Sequence, residues 1–145
     1  MEKLKQVKNI IIHHSHNPGH SIESIRNLHV NKNKWEDIGY HWFIGNGKNT
    51  KDGKLYKGRS EKFQGAHVYG HNKNSIGICL IGNFDKEPAT KKQIKKLIKL
   101  LKKKIKKHKL SSKDIFGHCE FNHVKKTCPG KFLDIEEIRE LISQK

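Results

Sequence analysis

Apolar runs in this chain are short, and each is bounded by turn residues or lysines. Val7 to His13 is a β-branched run with no helical period and reads as a buried strand. Asn17-Pro18-Gly19 is turn chemistry. After Ser21, a candidate N-cap, Ile22, Ile25 and Leu28 recur at helical spacing. Tyr40 to Ile44 is an aromatic-rich strand pattern, and Asn46-Gly47 with Asp52-Gly53 predicts a hairpin into Leu55 to Gly58. Ser75 to Ile81 reads as a central strand. Thr90 to Gln93 fits a capping box. Beyond it, Ile94, Leu97, Ile98, Leu101 and Ile105 form one apolar stripe on a lysine-covered helix. Such a helix packs on a core in most globular proteins, and the same pattern also suits an anionic membrane interface. Asp114 to Phe116 is a short strand, and a last helix starts near Ile135 with Asp134 and Glu137 as its cap pattern. Irregular alternation of strands and helices predicts an α/β fold, a central mixed β-sheet flanked by helices. No repeat or linker divides residues 1–145, so one domain is expected.

Composition adds a strong charge to this picture. The 145 residues carry a formal net charge of +17, and the hydrophobic share of 33% is enough for one modest core because the apolar residues are clustered. Of 31 basic residues only Arg26, Arg59 and Arg139 are arginine. A lysine-dominated surface suits anionic polymers or lipids, and the scarcity of arginine argues against sequence-specific base readout. A solvated lysine surface with no partner is the bland alternative. Three cysteines, Cys79, Cys119 and Cys128, do not make a disulfide framework and suit a reducing compartment. Ile10 to Ile12 is too short for a signal-peptide core or a membrane span. Synthesis in the cytoplasm is therefore expected, with a non-Sec exit if the protein acts on a cell wall.

Candidate chemistry lies at two separated places. His13 and His14 end the first strand, while His118 and Cys128 flank a turn-rich segment that closes on Thr127-Cys128-Pro129-Gly130. Each residue alone has an ordinary reading: a polar strand end, or a buried thiol. If His13, His118 and Cys128 meet in space, they occupy three corners of a tetrahedral zinc site and leave the fourth for water, the layout of a hydrolytic zinc. Alternation along a strand sends His14 to the face opposite His13, so only one of the pair should serve one metal.

Four segments in this order resemble the type 2 N-acetylmuramoyl-L-alanine amidases, a family that includes phage lysozyme-like amidases and the peptidoglycan recognition proteins. They are IIIHHS from Ile10, DIGYHWFI from Asp37, GAHVYGHNKNSIGICLIG from Gly65 and GHCEFNHVKKTCPG from Gly117. The similarity runs from about Ile10 to Ile138. It implies a mixed sheet with flanking helices and a surface groove holding one zinc ion (Zn2+) per chain. It implies His13, His118 and Cys128 as metal ligands, Tyr40 and Lys126 as catalytic residues, and His67 and Asn74 in the segment lining the substrate groove. Relatives that replace the cysteine tend to recognise peptidoglycan without cutting it. The step from His118 to Cys128 is longer than is usual in such sequences, which leaves Cys119 and His123 as rival ligands or the extra residues as an outward bulge. No acid is placed by motif as general base; Glu120 is only close in sequence to His118.

The resemblance implies a zinc-dependent peptidoglycan hydrolase that cleaves the amide between N-acetylmuramic acid and L-alanine, of endolysin type. The basic surface would hold it on anionic cell-wall polymers or lipids. A monomer is expected, with no specific nucleic-acid partner because no such motif is present. A peptidoglycan receptor without turnover, or an autolysin or wall-recycling amidase, are the alternatives.

Overall fold

A computed structural model describes residues 1–121 and 127–144. Lys126 and His123 lie outside the described residues. The backbone builds a five-stranded mixed sheet in the order β3-β2-β4-β1-β5. Its strands are β1 (Asn9–His14), β2 (Trp42–Ile44), β3 (Leu55–Lys57), β4 (Ser75–Leu80) and β5 (Ile115–Gly117). β1 is parallel to both β4 and β5, β2 is parallel to β4, and only the β2–β3 hairpin is antiparallel. Central parallel strands are covered on both faces, so they read as unbroken apolar runs. Ile10, Ile11 and Ile12 are accordingly all fully buried, as are Ile76 and Ile78 of β4.

Alternation divides the core in two. Ile10, Ile12, Ile76, Ile78 and Leu80 pack on one face against α2 (Lys91–His108) and α3 (Ile135–Ser143). Cys79 and Ile81 pack on the other with Ile25 of α1 (Ile22–Asn27), Ile38 and Phe43. The three helices begin where the cap residues predict. Ser21 and Thr90 each make reciprocal capping boxes, and Asp134 accepts from the Glu136 and Glu137 amides.

α2 packs on the core, in the globular sense of its amphipathic pattern. Leu97 and Leu101 of the expected stripe are buried, Leu100 joins them, and Ile94, Ile98 and Ile105 are partly buried. Two polar residues also go inside. Gln93 donates to the Ile44 and Ile81 carbonyls, and Lys104 pairs with Glu61 while lying over the Trp42 ring. The remaining face is exposed lysine. No helix among the described residues is long and apolar enough to cross a membrane.

The strands differ from the sequence pattern by one or two residues at their ends, and two of these differences have a local cause. Asp114 belongs to a 3-10 turn, Ser112–Asp114, because its carboxylate accepts the Ser111 amide. Tyr40 precedes β2, in a segment held by side chains as much as by pairing. Buried Arg59 donates to the carbonyls of Asp37, Ile38 and Gln64 and forks around this turn. Arg26 pairs with Asp37. Gly39 donates its amide to His29 Nδ1 at 2.9 Å, and a Cβ on Gly39 would strike the Ala66 carbonyl. These contacts aim Tyr40, the next residue.

His29 serves this turn only when neutral, because protonation of Nδ1 removes the acceptor. Burial, then Arg59 and His20, lower its pKa to about 4. A lowered histidine pKa means that the unfolded chain binds the proton more readily. Stability is therefore complete above about pH 6.5 and declines as pH falls toward 4. Between about pH 7 and about pH 4.5 the His29 contribution should be about 2–3 kcal/mol. His29→Asn keeps an acceptor and cannot titrate, so its urea-unfolding midpoint should fall less over this range than the parent's. Equal pH dependence in the two proteins would show that His29 does not carry the effect.

Candidate metal centre

Parallel pairing brings the candidate ligands together. β1 and β5 run side by side with Ile12 opposite Gly117, so the next residues, His13 and His118, leave the sheet at the same edge. Cys128 returns to that edge by backbone contacts. The Cys119 amide donates to the Cys128 carbonyl at 2.6 Å, and the Gly130 amide donates to the Thr127 carbonyl at 2.6 Å. Asp85, in the loop after β4, clamps the same turn: it accepts from Thr127 Oγ1 at 2.6 Å and from the Lys131 amide at 3.1 Å. Gly130 has φ +110°, and a Cβ there would run into the Phe84 backbone.

One nitrogen of His13, one of His118 and the Cys128 sulfur all lie within 4.8 Å of one another. His13 Nδ1 is 3.8 Å from Cys128 Sγ. Two corners of a zinc tetrahedron with ordinary Zn–N and Zn–S bonds stand about 3.6 Å apart, so this spacing fits a first-row metal with little movement. The donor set of one thiol and two imidazoles favours zinc over the oxygen-seeking Mg2+ and Ca2+. Cys119 is exposed and outside this cluster.

His13 is fully buried, and its pKa is held well below the usual 6.5, first by burial and then by His67, His118 and His14. It therefore offers a lone pair, as metal binding needs. Neighbouring His14 turns the other way, as alternation predicts: its Nδ1 accepts from the Phe84 amide at 3.1 Å. The His14 amide points at Cys128 Sγ, 3.4 Å away.

At this cluster lies an open groove of about 670 Å³, lined by His14, Ser15, His16, Tyr40, Asp85, His118, Thr127 and Cys128. The Tyr40 ring sits 4.9 Å from that of His13. Burial, then Cys79 and Cys128, raise the phenol well above its usual value of 10, so it remains a hydrogen-bond donor at neutral pH.

The other sequence candidates are distributed differently. His67 is buried behind His13, with its Nδ1 2.9 Å from His13 Nε2, rather than among the groove-lining residues. Asn74 ends the 3-10 turn Asn72–Asn74, and its buried Oδ1 has no hydrogen-bond partner among the described residues. Glu120 accepts from the Gly117 amide and is forked by Arg139, so it serves the β5–α3 corner. Sequence reasoning did not single out Asp85, Arg59 or His29 for the site. They act through the backbone of distant segments, and no local pattern announces such a contact.

Residues 3–131 match the family described as N-acetylmuramoyl-L-alanine amidase. Peptidoglycan-recognition protein SD of Drosophila melanogaster is 33% identical over 113 residues, which are 77% of this chain and 57% of that protein. The chain spans about half the length of the curated relatives it matches. Among solved structures, the endolysine N-acetylmuramoyl-L-alanine amidase LysCS from Clostridium intestinale URNW superposes with a TM-score of 0.85 at 31% identity, over 97% of this chain and 86% of that one. A Drosophila PGRP-LB mutant in complex with tracheal cytotoxin superposes with a TM-score of 0.80 at 28% identity, over 94% and 83% of the two chains. With its order of motifs, its mixed sheet and nearly its whole length matched, this chain belongs to the type 2 N-acetylmuramoyl-L-alanine amidase family.

Proposed function

We propose that the protein is a zinc-dependent N-acetylmuramoyl-L-alanine amidase, a catalytic member of its family rather than a receptor. The observation that carries this reading is the gathering of His13, His118 and Cys128 beside an open groove. A spectator site would need four protein ligands; three leave a position for water or substrate. When bound, zinc would lower the pKa of a water molecule and polarise the scissile carbonyl.

The chain's own groups supply the rest. His13, His118 and Cys128 would hold the ion, the two histidines at the ends of the parallel strands β1 and β5, whose backbone limits their movement. Tyr40, kept protonated, donates a hydrogen bond from the groove wall toward the substrate amide or the attacking water. Lys126, which matches a position occupied by a catalytic Lys or Thr in similar sequences, would provide a cation for the developing oxyanion. Peptidoglycan is the substrate in this reading, supported by the relatives named for recognising it.

The lysine face of α2 adds a second mode of contact. α2 covers the sheet face that carries Ile10 and Ile12, whereas His13 belongs to the other face. Anionic wall polymers or lipids can therefore be held on the lysines without filling the groove. An endolysin role, with synthesis in a cytoplasm and action on the wall, fits this arrangement and the likeness to an endolysine amidase.

Two measurements test the reading. Purified protein should carry about one zinc per chain, and purified peptidoglycan should release peptides with L-alanine at their amino ends. Chelation should abolish release and added zinc restore it. Loss of an outer partner of a metal costs about 10–100-fold, so Cys128→Ala should reduce release by about a hundredfold or more. Turnover that persists after complete metal removal would sink the zinc mechanism, and zinc binding without products would establish a receptor. In the second measurement, binding to isolated walls should weaken several-fold as ionic strength rises from about 0.01 M to about 0.15 M, where the screening length drops from about 30 Å to about 8 Å. Salt-independent binding would remove the lysine face from the account.

A further inference from the structure

Behind His13 lies a hydrogen-bonded series whose members His67 and Ser75 are not among the groove-lining residues. His13 Nε2 is 2.9 Å from His67 Nδ1. His67 Nε2 is 3.2 Å from Ser75 Oγ. Ser75 Oγ is 2.7 Å from the His71 carbonyl oxygen. All three side chains are buried.

The last contact sets the direction of the others. A carbonyl oxygen has no proton, so at this separation the Ser75 hydroxyl must donate its single proton to His71. Its oxygen then presents only lone pairs to His67, and the His67 proton must sit on Nε2. A neutral imidazole with its proton on Nε2 has a lone pair on Nδ1. His13 must therefore donate from Nε2, which leaves the lone pair of His13 on Nδ1. That is the nitrogen facing Cys128 Sγ.

The surroundings leave His67 little freedom to turn over. A Cβ on Gly77 would lie 2.7 Å from the ring, and one on Gly65 would lie 2.6 Å from its Cδ2, so the two glycines form a slot the width of an imidazole. Asn72 Oδ1 accepts from the amides of His67 and Val68, both at 2.9 Å, and fixes the loop that carries the ring. Gly77, one wall of the slot, lies on β4, whose pairing with β1 also positions His13.

We infer that His67 and Ser75 are positioning residues for the metal site: together they hold His13 in the tautomer whose Nδ1 lone pair faces the metal. The inference rests on His13 being a metal ligand, as proposed above. It deepens that reading by assigning His67 a role behind the ligand instead of on the substrate. A metal-bound histidine ordinarily donates its other N–H to an acceptor, and here that acceptor is a second histidine whose own proton is directed by a serine.

The test uses the full chain and zinc alone. In the metal-free wild-type protein, imidazole 15N–1H NMR should show both His13 and His67 protonated on Nε2. A proton on His67 Nδ1 would overturn the inference whatever the zinc result. Zinc affinity, measured by competition with a chelator, should fall about 10–100-fold in His67→Leu. His67→Asn, which restores an acceptor near the position of Nδ1, should recover most of that loss. Ser75→Ala should lower affinity by a smaller factor and let a second His67 tautomer appear in the spectrum. Unchanged affinity in His67→Leu, or equal losses in the Leu and Asn variants, would overturn the positioning role. Failure of the wild-type chain itself to bind zinc would instead count against the metal reading, and the NMR result would still stand on its own.

Discussion

Register between β1 and β5 is the constraint on which the site depends. Both strands run in the same direction, so their C-terminal ends emerge at one edge of the sheet, each carrying a histidine. A slip of one residue in β1 would exchange its faces, sending His13 into the α2 side and Ile12 toward the groove. Burial forbids that slip, because Ile10 and Ile12 belong to the larger apolar cluster. The cost of exposing such side chains is about 1.5–3 kcal/mol each, so the core selects the register that gathers His13, His118 and Cys128.

Around that edge, the polar groups are arranged in two tiers. One tier faces the groove: His118, Cys128, Tyr40, and the Thr127–Asp85 contact that holds the cysteine turn. A deeper tier is buried and is not among the groove-lining residues. His67 and Ser75 stand behind His13, while Arg59 and His29 stand behind the turn that carries Tyr40. Each deeper group is buried with its hydrogen bonds directed at another protein atom, which is how a buried polar side chain is made tolerable. The long-range surface charge is separate from both tiers, since the exposed lysines of α2 lie on the helix that covers the opposite sheet face.

Much of the fold was legible before any coordinates. Thr90 and Gln93 announce their helix because a capping box is a contact between residues three apart. The apolar run of β1 announces a buried strand because both of its faces are covered. Tyr40 was harder. Its aromatic neighbours suggest a strand, yet its place depends on Arg59 and His29, whose contacts span up to 22 residues of sequence. Lys104 was also unreadable, since a lysine in a lysine-rich helix gives no sign that Glu61 and Trp42 will receive it.

For the site, the sequence by itself determined the inventory: two histidines and a cysteine of suitable softness, in motifs whose order marks the family. Donor chemistry belongs to residue types and survives without coordinates. What only the tertiary structure decided is which donors among the described residues converge. Cys128 reaches the cluster through a backbone bond to Cys119, and exposed Cys119 does not belong to it. His67 stands behind His13 and not among the groove-lining residues. Convergence requires strands far apart in sequence to pair in one register, and a histidine's tautomer depends on the partner at its far nitrogen. Both are properties of proximity in space, which spacing along the chain does not encode.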